Sequence, residues 1–254
     1  MLIELTSLHI VVLAFLLEVV DASFGGGYGT ILSPLLLMIG FDPLRVVPAI
    51  LFSQLVGDFS AAFFHHEFKN VDLKIGAKSF RISMILVALS SVGSLISIVV
   101  AMNLPRFYLS LYIGALVAAT GAIVLTTINK KLSFSWGRLM ILGSLAAFNK
   151  GISGGGYGPI VTGGQIITGV EAKSAIGITS LAEGFVCIIA LLGYVFIGRT
   201  VDWTLALMLS IGVAFSAPVS AYLVRRIENR KLKLIIGIFT LILGIATMLR
   251  IVSA

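Results

Sequence analysis

Cysteine, charge and tryptophan are all scarce in this chain. Its one cysteine, Cys187, stands inside an apolar run, which excludes an intramolecular disulfide and a cysteine-based metal site. Asp, Glu, Lys and Arg together supply 11% of 254 residues, where a soluble domain carries about 25%. A soluble fold of this size could not cover its apolar residues with so little polar surface. No HExxH pattern, paired catalytic carboxylates or Lys-Ser/Thr phosphate loop is present, and His9 is the one histidine in an apolar run apart from the His65-His66 pair. Nucleophilic catalysis needs a nucleophile beside a positioned base, so an enzyme is not expected, and neither is a cofactor or a metal. The first residues lack a basic stretch and a small-residue cleavage pattern, so no removable signal peptide is expected.

Apolar residues make up 58% of the chain, and its mean hydropathy is +1.10. Six runs, 44–64, 79–101, 105–128, 172–197, 201–224 and 232–252, reach the ~20 residues a spanning helix needs. Two further stretches, 5–40 and 136–169, are too long for one span and are interrupted by glycine: Phe24-Gly25-Gly26-Gly27-Tyr28-Gly29 and Ser153-Gly154-Gly155-Gly156-Tyr157-Gly158-Pro159. The net charge of +7 comes mostly from two short loops between apolar runs. That is the pattern of cytoplasmic retention and not of nucleic-acid binding.

The breaks are copies. A shift of 129 residues superposes Gly25, Gly26, Gly27, Tyr28, Gly29, Ile31 and Gly40 on Gly154, Gly155, Gly156, Tyr157, Gly158, Ile160 and Gly169. A shift of 123 matches Leu109, Leu111, Ile113, Gly114 and Gly121 to Leu232, Leu234, Ile236, Gly237 and Gly244. Residues 1–132 and 133–254 therefore read as two repeats within one membrane domain. Loop 65–81 carries Lys69, Lys74, Lys78 and Arg81 against Arg199 alone in 198–203, whereas Arg106 alone in 102–107 faces five basic residues in 225–233. The bias reverses between halves, so equivalent loops lie on opposite sides and the repeats are inverted. Inversion needs an odd number of crossings per half. The expected fold is thus all-α and polytopic, each repeat a glycine-broken re-entrant hairpin plus three transmembrane helices. Both termini are expected outside the cytoplasm, with loops 65–81, 129–138 and 225–233 inside.

Broken backbone at membrane depth survives only inside protein or against a polar cavity. Half-helices starting near Thr30 and Pro159 would turn their N–H groups and positive dipole ends toward the breaks, as an anion carrier with repeats meeting near the midplane requires. The expected substrate site is Gly25, Gly26, Gly27, Tyr28, Gly29 and Thr30 from the first break. Lys150, Ser153, Gly154, Gly155, Gly156, Tyr157, Gly158, Thr162 and Gln165 come from the second. Ser53, Thr179 and Ser180 are further hydroxyl donors, although a membrane Ser or Thr often bonds its own helix. Ionisable residues at depth default to function: Asp21 (equivalent in place to Lys150), Asp58 and Glu183 (aligned with Gln54) are candidates for ion coupling, and Glu18 is also at depth. His65-His66-Glu67 reads as an interfacial loop, since three consecutive residues cannot all face one ion. Gly93, Gly114, Gly193 and Gly212 read as helix-packing residues.

These residues resemble the sulfite exporter TauE/SafE family. The likeness rests on Gly25-Gly26-Gly27 with Ser33-Pro34-Leu35-Leu36, on Gly154-Gly155-Gly156 with Pro159, on the run from Gly169-Val170-Glu171 to Ile178-Thr179-Ser180, on Gly198-Arg199-Thr200-Val201-Asp202-Trp203, and on Arg225-Arg226. It spans essentially the whole chain. It implies secondary transport, usually outward, of a sulfur-containing anion such as sulfite, thiosulfate or an organosulfonate across the cytoplasmic membrane. Tyr-Gly directly after each glycine triplet, and Lys150, depart from the family's usual motif. The expected partners are a small anion and the lipid bilayer, with a homodimer as the candidate assembly and no nucleic acid. A rival reading is a cation channel filtering through Gly-Tyr-Gly, but that filter needs four such segments where this chain has two.

Overall fold

A computed structural model describes residues 2–38, 43–101, 106–129, 133–153, 157–196 and 200–252. Among these residues the structure is all-helical: α1 (Leu2–Phe24), α2 (Tyr28–Met38), α3 (Pro43–Glu67), α4 (Lys78–Ala101), α5 (Arg106–Thr126), α6 (Trp136–Ser153), α7 (Tyr157–Ile167), α8 (Ala172–Phe196), α9 (Trp203–Arg226) and α10 (Asn229–Val252). Three segments, Val46–Glu67, Ala172–Phe196 and Trp203–Arg226, are long and apolar enough to cross a membrane. Apolar stripes at helical spacing face outward, among them Leu8, Val12 and Leu16 on α1 and Leu207, Ile211 and Phe215 on α9. Water would penalise such stripes, whereas hydrocarbon accepts them.

Contacts between helices fix their directions. On α3, His65 reaches Ala22 of α1 and Gly57 lies beside Glu18, so α1 and α3 run the same way. The eleven-residue α2 must therefore carry the chain back between them. At about 1.5 Å per residue it spans roughly 16 Å, about half a hydrocarbon core. Gly177 of α8 abuts His65 and Gly184 abuts Asp58, which sets α8 antiparallel to α3. Gly114 lies against Met248, and Gly121 against Leu241, so α5 and α10 are antiparallel as well.

Small residues permit these approaches. A methyl on Gly121 would stand 2.5 Å from the Leu241 nitrogen, and one on Gly212 would run into α1 at Val11 and Ala14. The packing expectation thus holds for Gly114 and Gly212. It fails for Gly193, which has open space at its Cα. Gly93 stands in a stretch of α4 whose side-chain packing lies outside the described residues.

The basic loops gather at one end of the bundle. Asn70 Nδ2 donates to Ala221 O at 2.8 Å, Lys173 Nζ donates to Arg225 O at 2.8 Å, and Lys78 Nζ sits 3.7 Å above the Phe134 ring. Lys173 and Arg225–Arg226 place positive charge at the carbonyl end of α9, where its dipole favours cations. Asp202 caps the opposite end of α9, accepting from Leu205 N at 3.1 Å. A cleft of about 480 Å³ opens at the basic end beside His66, Lys69, Asp72 and Glu171.

Candidate functional site

Asp21 closes the first helix with its carbonyl and opens the second with its side chain. Gly25 N and Gly26 N donate to Asp21 O at 2.7 and 3.1 Å, while Tyr28 N donates to Asp21 Oδ1 at 2.7 Å. The carboxylate satisfies an orphan amide at the positive end of α2. Between them Gly25, Gly26 and Gly27 hold φ of 78°, 146° and 134°, which side chains with a Cβ rarely adopt. The half-helices start at Tyr28 and Tyr157, two residues before the expected Thr30 and Pro159. Pro159 still fits, because first-turn amides have no intrahelical acceptor.

The two breaks meet. A Cβ on Gly25 would collide with the Thr162 side chain, and one on Gly26 with the Pro159 ring. One on Gly158 would stand 2.8 Å from Gly25 O and from Gly26 Cα. The first turn is therefore seated on the opening turn of α7, which is buried from Tyr157 through Ile166. In this arrangement the turns are in van der Waals contact.

Both tyrosines are fully buried anchors. Tyr28 OH lies 2.8 Å from Ser53 Oγ, and Tyr157 OH lies 2.9 Å from Ser90 Oγ. Ser53 donates to Ile50 O at 2.9 Å, so its oxygen accepts from Tyr28. Ser180 donates to Ile176 O within its own helix. The other expected donors converge: Thr162 Oγ1 donates to Thr179 Oγ1 at 2.9 Å and Gln165 Nε2 to the same oxygen at 2.8 Å. Gln165 Oε1 is buried without a hydrogen bond among the described residues. Gly29 is half-buried beside Tyr28. The side chains of Thr30, Lys150 and Ser153 lie outside the described residues, as do Gly154, Gly155 and Gly156.

The structure joins Asp21 and Asp58 to Glu18, with ligand oxygens of all three within 4.8 Å of one another and all three residues buried. Like charges 4.8 Å apart repel by about 3.5 kcal/mol at an effective dielectric of about 20. Glu183, at 4% exposure, is buried on α8 but is not part of this group. In sequence Glu18 reads only as a residue at depth, yet its spacing of three from Asp21 on one helix face is a signal that pairs them.

His65 departs from the interfacial-loop expectation. It is fully buried in α3, where Nε2–H donates to Ala22 O at 2.8 Å and Nδ1 accepts from Asn70 Nδ2 at 3.0 Å. A carbonyl can only accept, so the ring is the neutral Nε2–H tautomer. With Asn70 also bonded to Ala221 O, the pair knots α1, α3 and α9 together below the break. His66 and Glu67 are more open.

Comparison with known proteins agrees with this architecture. A sequence model of the family described as Sulfite exporter TauE/SafE matches residues 10–247. A relative from Bacillus subtilis (strain 168), "Probable membrane transporter protein YtnM", is 24% identical over 255 residues, covering 94% of this chain and 83% of its own. No solved structure matches. A family match over residues 10–247, on a chain whose described residues are helical with apolar outer stripes, describes a multi-pass membrane protein of transporter type, and the chain belongs to the sulfite exporter TauE/SafE family.

Proposed function

We propose that the protein is a secondary transporter of a small sulfur-containing anion, of the sulfite, thiosulfate or organosulfonate type, across the cytoplasmic membrane. The observation that carries this reading is the seating of Gly25 and Gly26 on Gly158, Pro159 and Thr162. Two broken segments from different halves converge at one place inside the bundle, as expected of carriers built from inverted repeats. The antiparallel pairs α3/α8 and α5/α10 support inversion, and the clustering of Lys78, Lys173, Arg225 and Arg226 supports a cytoplasmic basic end.

The halves divide the work. At the first break an internal carboxylate, Asp21, already occupies the amide of Tyr28. The equivalent place before the second break is held by Lys150. The anion therefore engages the second break, at the start of α7 with Lys150, Thr162 and Gln165, and Gly25–Gly27 form the opposing wall. Contact between the turns corresponds to a closed state that must part for the anion to pass, by motion of one repeat against the other. The cation-channel alternative would need backbone carbonyls of both turns to ring an open pore, whereas Gly158 packs directly against Gly25 O and Gly26 Cα.

An anion panel tested by thermal unfolding of purified protein checks the reading, since a bound substrate raises Tm by mass action. Sulfite, thiosulfate or a short sulfonate should raise Tm where chloride at equal ionic strength does not. Lys150→Gln should remove the response while leaving insertion intact. Equal shifts for every anion, or a full response in the variant, would contradict the assignment.

A further inference from the structure

The basic corner between α9 and α10 is aimed as well as charged. Arg225, Arg226, Arg230 and Lys231 are all exposed there. Retention of cations on one side of the membrane explains their presence in this loop, but it is indifferent to helix face. On α9, Phe215, Val219, Tyr222 and Arg226 stand four, three and four residues apart, and all four are exposed. On α10, Lys231, Leu234 and Ile238 repeat the pattern at three and four, again exposed. Such spacing marks one face of a helix. Each outer apolar stripe therefore ends in a cation, and the two ends share one corner.

Arg226 is held in place by its neighbours. Its Nε donates to Tyr222 OH at 3.1 Å, and its guanidinium carbon lies 5.0 Å from the Tyr222 ring centroid. Tyr222 packs edge-on against Phe68, with centroids 6.4 Å apart. Both terminal nitrogens of Arg226 are left without a protein partner among the described residues. That edge of a guanidinium grips two phosphate oxygens at once. The first turn of α10 is a second, independent signal, since it holds Arg230 and Lys231 and no acid. A helix start is already partly positive, so cations there are misplaced until an anion offsets them. Glu228, the acid within the corner, is exposed and pairs with none of the four cations among the described residues.

We infer that the α9–α10 corner is a binding site for an anionic glycerophospholipid. Arg226, Arg230 and Lys231 hold its phosphate, and an acyl chain lies along the outer stripe of α9. A free phosphate would match the cations alone, whereas an amphiphile matches both the cations and the stripe that leads to them. Tyr222 sits where the two meet, the level at which aromatic rings face lipid headgroups. Because α9 packs on α1 and α10 on α5, a lipid bridging the corner ties together helices with different neighbours.

The test needs no transported anion, so it stands apart from the transport reading. Purified protein in a neutral detergent is titrated with phosphatidylglycerol or with phosphatidylcholine of the same acyl chains, and bound lipid is counted by native mass spectrometry. Phosphatidylglycerol should bind the wild type more tightly, and inorganic phosphate should not displace it. Each cation removed from the corner should weaken that binding roughly fivefold, first in Arg226→Gln and further when Arg230→Gln is added. Lys69→Gln with Lys74→Gln removes two charges elsewhere at the basic end and should leave the preference intact. Variants are scored if they elute as the wild type does on gel filtration; if none does, the two lipids and the phosphate competition on wild type decide. Equal binding of both lipids, an unchanged preference in Arg226→Gln, or an equal loss in the Lys69 and Lys74 variant would overturn the site. Displacement by inorganic phosphate would make it a phosphate site and overturn the lipid assignment.

Discussion

The thiol of Cys187 lies 3.9 Å from Oδ2 of Asp58, and the two residues are each other's equivalents, 129 positions apart. Under the proposed inversion, equivalent positions that touch would straddle the axis relating the repeats. The proposal then puts that axis between α3 and α8, where Gly184 meets Asp58. A Cβ at Gly184 would make ordinary van der Waals contact with Asp58 and Phe59 at 3.4 Å, so the helices do not need glycine there to approach.

A thiol at this distance is a weak donor. Cys187→Ala should lower stability by only about 1 kcal/mol, from the lost packing atom and weak bond together, read as Tm in detergent. The resulting cysteine-free protein then reports topology. A cysteine placed at Lys74 and one placed at Thr200 should label from opposite faces of the membrane. Labelling from one face would overturn the inversion.

Tyr28→Phe and Tyr157→Phe each delete one buried hydroxyl and leave a serine partner behind. Ser53 keeps its bond to Ile50 O, so the first variant should cost about 1 kcal/mol. If the phenols are anchors, both variants should lower Tm and leave the KM for transport unchanged. A KM rise without a Tm change would make them ligands of the substrate.

Gly25→Ala meets two obstacles, the Thr162 side chain and a φ of 78°. The left-handed backbone alone costs about 1–3 kcal/mol. Gly25→Ala should lower the Tm sharply, while adding Thr162→Ala should recover part of it, because the threonine Oγ1 and methyl are two of the three atoms struck. No recovery would place the whole cost in the backbone.

Much of this was legible in the chain. Three consecutive glycines, twice, announce a broken helix because few other residues tolerate such backbone, and the repeat distance followed from them. Charge reversal between loops led to the proposed inversion, with which the antiparallel pairs α3/α8 and α5/α10 are consistent. What stayed hidden depends on how helices from distant segments are registered. Nothing local tells Tyr157 that Ser90 waits on α4, or tells Asn70 that its amide will bridge His65 to Ala221. A glycine-flanked tyrosine reads equally as ligand or anchor until its partner is seen. The same holds for Glu18, whose neighbour Asp58 comes from a distant segment. Gly193 shows the converse error: a small residue in a membrane helix need not pack on anything.

The central claim is that an anion crosses where the two breaks meet. Counterflow of radiolabelled sulfite or thiosulfate into proteoliposomes preloaded with the same unlabelled anion tests it most directly, using wild type beside Lys150→Gln and Thr162→Val. The account predicts transient accumulation above empty vesicles for wild type, and at least a tenfold slower rate in both variants at wild-type protein levels. Exchange in both variants at the wild-type rate, or no exchange of any sulfur anion by wild type, would contradict it.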